Sequence, residues 1–314
     1  IVRTHYTHET LARMALRARG MFENFAEVVG GTAGFRRTGF LVLVGTHDVD
    51  ALRANVAMHQ RVGINARALT PDDLRALEPR MNLEGVGAAA WEPDSGYADA
   101  NSATMAYAAA AKRHGAELRI GVTVNAIEID ANGIKRVITN EGTIETRSVV
   151  VAAGYRTREL LAPHDVDILI TPVRHTIALA QRSPDFGATH PTISDRVFGG
   201  YYRPEGNEHT HIGATAPFDG HIDTDVESDK PPALDDIRKH VAWFARRFPS
   251  QANATLRSHY TGVYDCSPDL QPMLGPVREL DGVHVAVGFS GHGFKLSPVI
   301  GELMAEQICD GRAT

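Results

Sequence analysis

Between residues 9 and 29, apolar side chains recur at Leu11, Met14, Ala15, Ala18, Phe22, Phe25 and Val28. Spacings of three and four describe one face of a helix, which Gly30-Gly31 ends. Phe40-Leu41-Val42-Leu43-Val44 is an unbroken apolar run and predicts a buried strand. Residues 48–62 predict a second helix. Thr70-Pro71-Asp72-Asp73 starts a third, with Pro in its first turn, and Glu78-Pro79 stops it. Trp91 to Tyr97 is a turn-rich link into a helix over 100–114, with Gly115 as its C-terminal cap. Residues 118–129 alternate as a half-buried strand. Ala131-Asn132-Gly133 offers a hairpin turn, 134–139 return, and Glu141-Gly142 turns the chain into 143–146.

Ser148-Val149-Val150-Val151-Ala152-Ala153-Gly154 predicts a fully buried strand meeting a tight turn, as in a parallel sheet covered on both faces. Strand-like runs follow at Ile168-Leu169-Ile170, Ile177-Ala178-Leu179 and His211-Ile212-Gly213. An acidic, proline-containing stretch over 223–232 precedes a helix over 234–248. The last third ends on a strand over 283–287, the segment Gly288-Phe289-Ser290-Gly291-His292-Gly293-Phe294-Lys295, and a helix from about 297 to 308.

Composition narrows the function. With 314 residues and 43% hydrophobic content, the chain can bury more than one core, so two domains are expected. A net charge of -6, from 32 basic and 38 acidic residues, gives no basic field to gather nucleic acid or anionic lipid. Small-molecule chemistry is the default. Two cysteines, Cys266 and Cys309, exclude a disulfide framework and a four-thiolate zinc site, which suits a reducing, cytoplasmic setting. No run of about 18 apolar residues is present to cross a bilayer. His209 and His211 would face the same side of an extended strand, but no third ligand stands at a metal-binding spacing. No metal is expected.

The segment 288–295 carries the chemistry. Its glycines let backbone approach a flat ligand, and the helix that follows offers unpaired N–H groups and partial positive charge. With Lys295 this suits an electron-rich ring that gains negative charge on reduction.

This segment resembles the isoalloxazine-binding loop of sarcosine oxidase and glycine oxidase-like flavoenzymes in the D-amino acid oxidase superfamily. Gly262-Val263-Tyr264-Asp265-Cys266-Ser267-Pro268-Asp269, followed by Gln271-Pro272-Met273-Leu274-Gly275-Pro276, is similar to the same family's tyrosine, Thr/Ser-Pro-Asp and Pro-Ile-Ile-Gly pattern. Residues 149–154 resemble the strand returning beneath the flavin, and Tyr201-Tyr202-Arg203-Pro204-Glu205 a substrate-domain strand. The resemblance implies an α/β flavoprotein. Its FAD-binding domain would comprise 1–34, 98–170 and 269–314, and its substrate domain, with a mixed or antiparallel sheet, 35–97 and 171–268.

It also implies roles. Lys295 and Arg3 would engage a substrate carboxylate, Tyr264 and Tyr202 would shape the pocket, and Val124, Ala153, Gly154, Gly288, Ser290, Gly291, His292, Gly293 and Phe294 would contact FAD. Gly262 stands where monomeric sarcosine oxidases carry the flavin-bonding cysteine, so FAD is expected to be non-covalent. His211 stands where those oxidases place an oxygen-activating lysine, and Thr215 replaces a nearby histidine. Oxygen and an electron-acceptor protein are therefore both open as acceptors, with a small amine or amino acid as substrate and an oligomer possible.

The family's strand, G-x-G-x-x-G and helix unit, which needs ~30 residues, has no match here. Gly85-Val86-Gly87-Ala88-Ala89-Ala90 leads into Trp91-Glu92-Pro93 rather than into a helix. That unit is expected upstream of Ile1. The alternative is a subunit-like flavoprotein acting as a structural or electron-transfer partner.

Overall fold

The computed structural model describes residues 1–130, 133–215 and 231–313. The strand Phe40–Val44 is buried along its whole length because it lies inside an eight-stranded sheet with packed layers on both sides. The spatial order is Thr255–Cys266, Thr171–Gln181, His209–Ala214, Gly200–Glu205, Thr192–Asp195, Phe40–Val44, Ala88–Glu92 and Arg67–Leu69. Only Thr192–Asp195 and Phe40–Val44 pair in parallel; the other neighbours are antiparallel. The sheet is mixed, as expected.

Alternation along Phe40–Val44 feeds two cores. Phe40, Val42 and Val44 pack with Leu11, Ala15, Leu52, Val56, Leu296 and Ile300, which come from the helices Glu9–Glu23, Val49–Arg61 and Gly293–Asp310. Leu41 and Leu43 pack with Ile193 and Ile212 against Phe244 and Phe248, carried by the helix Leu234–Arg247 and its C-terminal end. Each fully buried Leu or Ile here contributes about 1.5–3 kcal/mol relative to exposure. A three-stranded sheet runs Met273–Pro276, Val283–Val287, Val149–Val151, the last two parallel. The strands Val124–Ile129, Lys135–Thr139 and Gly142–Thr146 form an antiparallel meander.

Several expectations needed correction. The stretch around Trp91 is no simple link: Ala88–Glu92 is a strand within the large sheet. Alanine is a weak strand former, but Ala88, Ala89 and Ala90 are buried between the two cores, where packing outweighs propensity. The twelve-residue strand Thr255–Cys266 was not anticipated, because most of it is exposed and carries no apolar alternation. Val149–Val151 is not covered on both faces. It is an edge strand, and Val150 is 43% exposed.

Residues 118–123 and 168–170 lie outside strands. The first helix breaks at Asn24, and Phe25–Val28 forms a separate turn. The last helix starts four residues early, at Gly293, despite Pro298 inside it. Proline removes the N–H that would bond the Phe294 carbonyl, and the Ser297 hydroxyl donates to that carbonyl instead, at 2.9 Å. The helix Pro71–Leu77 starts where expected, and its start is fixed by a capping box between Thr70 and Asp73. The turn at 131–132 and the acidic stretch up to residue 230 lie outside the described residues.

Candidate active site

The strand Thr255–Cys266 ends where the glycine segment begins, and Asp265 fastens the two together. Its Oδ2 accepts from the Gly288 N–H at 2.8 Å and its carbonyl from the Ser290 N–H at 3.2 Å. The Ser290 hydroxyl donates to the Gly288 carbonyl and accepts from the Ser267 N–H. Gly288, Ser290 and Gly291 all take positive φ, folding the segment back on itself before the helix. At Gly291 a Cβ would sit 2.5 Å from the Tyr264 ring, so glycine is what allows that ring to cross the segment.

His292 closes the loop. Its Nε2–H donates to the Leu270 carbonyl at 2.8 Å, which leaves Nδ1 to accept from the Tyr6 hydroxyl at 3.1 Å. Burial, with Lys295 nearby, lowers its pKa to about 4, so the ring is neutral at pH 7. His292 is also the N-cap of the last helix, and its side chain makes no capping hydrogen bond to the first turn.

Two cations face this corner. Lys295 is 6% exposed, and its ammonium donates to the His292 carbonyl at 3.3 Å. Burial and then Arg3 push its pKa well below the ordinary lysine value. Arg3 donates to the His5 carbonyl and lies 4.6 Å from the Tyr6 ring centroid and 5.8 Å from that of Phe40. Among the described residues neither cation has an ion-pair partner, although 4 Å pairs are common elsewhere in the chain. Both line a cavity of about 320 Å³ with Tyr201, Tyr264, Ser290, Gly291, His292 and Phe294.

A second cavity of about 790 Å³ shares Ile1, Tyr201, Tyr264 and Phe294 and extends to His175, Arg203, His211 and Tyr260. Along it, His175 stacks on Tyr264 at 4.6 Å and, further off, on Tyr201 at 6.1 Å. The Tyr201 ring lies over Gly213 on the neighbouring strand, where a Cβ would come within 2.6 Å. His211 approaches the Tyr260 hydroxyl at 3.4 Å and Glu205 at 3.5 Å. Burial and Arg203 lower its pKa to about 3.

Of the residues singled out by sequence, Arg3, Tyr264, Ser290, Gly291, His292, Phe294 and Lys295 converge on the smaller cavity, and His211 lines the larger. Gly154, Gly293 and Phe294 line a third, mainly apolar cavity of about 580 Å³ on the other side of the loop. Gly288 shapes the loop through its backbone. Ala153 is exposed at the turn before Gly154, and Val124 begins a half-exposed strand and lines none of these three cavities.

Tyr202 is the correction. It is 0% exposed, donates to Asp195 at 3.2 Å and packs against Phe244 in the opposite core. Adjacent strand residues face opposite sides, and the pocket residue is Tyr201. Sequence reasoning chose the wrong parity. Asp265 holds the loop, and nothing in the 262–269 motif sets its carboxylate apart before the strand and the loop are brought together.

These features fit a flavin ring. The loop would tolerate close approach, the helix start has no side-chain cap, and Lys295 can offset negative charge on the ring. The wider comparison agrees. The family model described as FAD dependent oxidoreductase (DAO) matches residues 1–307. Mitochondrial dimethylglycine dehydrogenase of Rattus norvegicus is 25% identical over 309 residues, covering 93% of this chain and 36% of that protein. Monomeric sarcosine oxidase of Bacillus sp. is 26% identical over 265 residues, covering 82% of this chain and 67% of that protein. Among solved structures, L-proline dehydrogenase from P. horikoshii superposes with a TM-score of 0.90 at 28% identity, covering 99% of this chain and 82% of that one. The chain thus spans about a third of the length of the dimethylglycine dehydrogenase it matches. A match to all but the last few residues settles the family: this chain belongs to the FAD-dependent oxidoreductases of the DAO family.

Proposed function

We propose that the chain serves in the FAD-dependent oxidation of the C–N bond of a small amino acid or an N-methylated amino acid. The observation that carries this reading is the pair of cations, Arg3 and Lys295, lining one cavity beside the glycine loop without a carboxylate partner among the described residues. An incoming carboxylate supplies the missing counter-charge, and charge-assisted hydrogen bonds then fix its orientation.

Bound FAD supplies a hydride acceptor for the carbon next to the amine nitrogen. The chain's own residues supply the geometry. Lys295 and Arg3 hold the carboxylate, while Tyr264 and Tyr201 wall the space between the cavities. The positive field and low polarity favour the neutral amine, the form that hydride loss requires. His292 has both ring nitrogens engaged and serves to hold Tyr6 and the 270–292 corner rather than to move a proton. We assign the flavin-bearing part to residues 1–34, 98–170 and 269–314, with non-covalent attachment.

A second reading concerns the electron acceptor. His211 is neutral at pH 7, so it cannot provide the positive charge that promotes reaction with oxygen, and an acceptor other than oxygen is favoured. One experiment tests both readings. The flavin-loaded protein is mixed anaerobically with sarcosine, L-proline and D-amino acids and then exposed to air. Bleaching of the flavin band by one of these amines, followed by slow reoxidation, is expected. No bleaching with any of them would reject the proposed activity, and rapid reoxidation would reject the second reading alone.

A further inference from the structure

Two residues along the chain from Arg3, three buried polar side chains meet. His5, His59 and Glu92 are 4%, 0% and 1% exposed. One ligand atom from each lies within 4.8 Å of the other two, and His5 Nδ1 is 3.7 Å from Glu92 Oε1. The two imidazoles meet edge-on with centroids 4.7 Å apart. Of these side chains, His5 Nδ1, His59 Nδ1 and Glu92 Oε1 are all buried without a hydrogen-bond partner. Leaving one such atom unsatisfied costs about 1–3 kcal/mol, so three in one place call for a common partner.

The remaining hydrogen bonds say what that partner is. His59 Nε2 lies 2.8 Å from the Tyr6 carbonyl and a longer 3.4 Å from the Tyr6 N–H; the shorter contact puts the hydrogen on Nε2 and leaves Nδ1 with a lone pair. Glu92 Oε2 accepts from the Thr4 N–H at 2.9 Å and from the Ser95 hydroxyl at 2.8 Å, which leaves Oε1 as the acceptor turned towards the two imidazoles. His59 therefore meets the carboxylate with a lone pair, and 3.7 Å is too long for a hydrogen bond between His5 Nδ1 and Glu92 Oε1.

We propose that His5, His59 and Glu92 form a structural site for a divalent cation of the zinc class, with two imidazoles and one carboxylate as ligands. Two imidazoles and one carboxylate bind zinc at ligand distances of about 2.0–2.2 Å, with a water completing the tetrahedron. Tetrahedral ligands then stand roughly 3.4 Å apart, so the His5–Glu92 spacing nearly fits, and the widest spacing closes by about an ångström on binding. The helix Val49–Arg61 brings His59 and the strand Ala88–Glu92 brings Glu92. His5 comes from the segment that bears Arg3 and Tyr6. The ion ties all three together, and the outer bonds from Glu92 to Thr4 and from His59 to Tyr6 grip the same segment. None of the three ligands lines the cavities described above, so the ion holds Arg3 in place and takes no part in the chemistry.

The test is independent of the flavin. The protein is treated with EDTA, dialysed, loaded with Zn²⁺, desalted and assayed for metal by mass spectrometry, with thermal melting and zinc X-ray absorption on the same sample. One zinc per chain is expected, in a nitrogen and oxygen shell, together with a melting temperature raised by on the order of 5 °C. His59→Ala and Glu92→Gln are expected to retain at least about tenfold less zinc. A folded wild-type chain that takes up no stoichiometric zinc would show that an ordered water joins the three atoms and would overturn the proposal. So would zinc in a sulfur shell, or folded variants that still hold one zinc per chain. Should both variants fail to fold, the wild-type stoichiometry and shell decide the matter alone.

Discussion

The large sheet buries cations on both sides, and it treats them in opposite ways. On one side Arg247 is fully buried with its guanidinium forked onto Asp195, at 2.8 and 3.1 Å. Asp195 also accepts from Tyr202, Val197 and Phe198, so every lone pair in that corner is used. On the other side Lys295 is nearly as deeply buried, yet it has one backbone contact and a second cation, Arg3, nearby. A buried charge without a partner is costly, and proteins retain one where a ligand completes it. Arg247 holds the fold together; Lys295 is the cation for which we propose an anionic ligand.

Breaking the first arrangement has the largest expected effect. Asp195→Asn leaves Arg247 buried against a neutral partner, which costs about 3–5 kcal/mol and lowers Tm by on the order of 10 °C. Thermal and denaturant unfolding check this, with ligand affinity expected to stay unchanged. Lys295→Met inverts the pattern. Stability is kept or rises slightly, while affinity for a carboxylate ligand, read by flavin absorbance, falls by about 1.5–3 kcal/mol, roughly ten- to hundredfold.

The two neighbouring tyrosines sharpen the same contrast. Tyr202→Phe removes a hydroxyl that serves Asp195, for a loss of about 1 kcal/mol in stability and none in binding. Tyr201→Phe is expected to alter ligand affinity, by up to about tenfold, with unfolding unchanged. Equal effects from both would show that the two sides of the sheet are not separate.

The smallest effect is a pH dependence. Burial lowers the Lys295 pKa, so carboxylate affinity is greatest at low pH and falls as pH rises through a midpoint below the ordinary 10.5. His292 and His211, at about 4 and about 3, stay neutral above about pH 5 and add no further step there. They do affect stability. Their folded-state pKa values lie below the unfolded 6.5, so stability is full above about pH 6.5 and declines as pH falls towards 4 and below.

The sequence shows some of this and hides the rest for physical reasons. Phe40–Val44 and Val283–Val287 are legible because strands covered on both faces need near-continuous apolar runs, interrupted in the second by His284. The glycine segment is legible because few residue types can turn a chain so tightly. Thr255–Cys266 is hidden because an exposed edge strand places no demand on alternation. Tyr201 is hidden because two adjacent tyrosines look alike until the pairing register fixes which one points into the cavity. The His5, His59 and Glu92 cluster is hidden most thoroughly, since its members stand 54 and 33 residues apart along the chain and only the packing of a helix on a strand unites them.

We propose that Arg3 and Lys295, without an ion-pair partner among the described residues, read a carboxylate. This is tested most directly by pairing each amine with its decarboxylated counterpart, sarcosine with dimethylamine and L-proline with pyrrolidine. Each is added anaerobically to the flavin-loaded protein while the flavin band is followed. Bleaching by at least one carboxylate-bearing amine and not by its counterpart is predicted. Equal bleaching by both members of a pair would contradict the role assigned to Arg3 and Lys295.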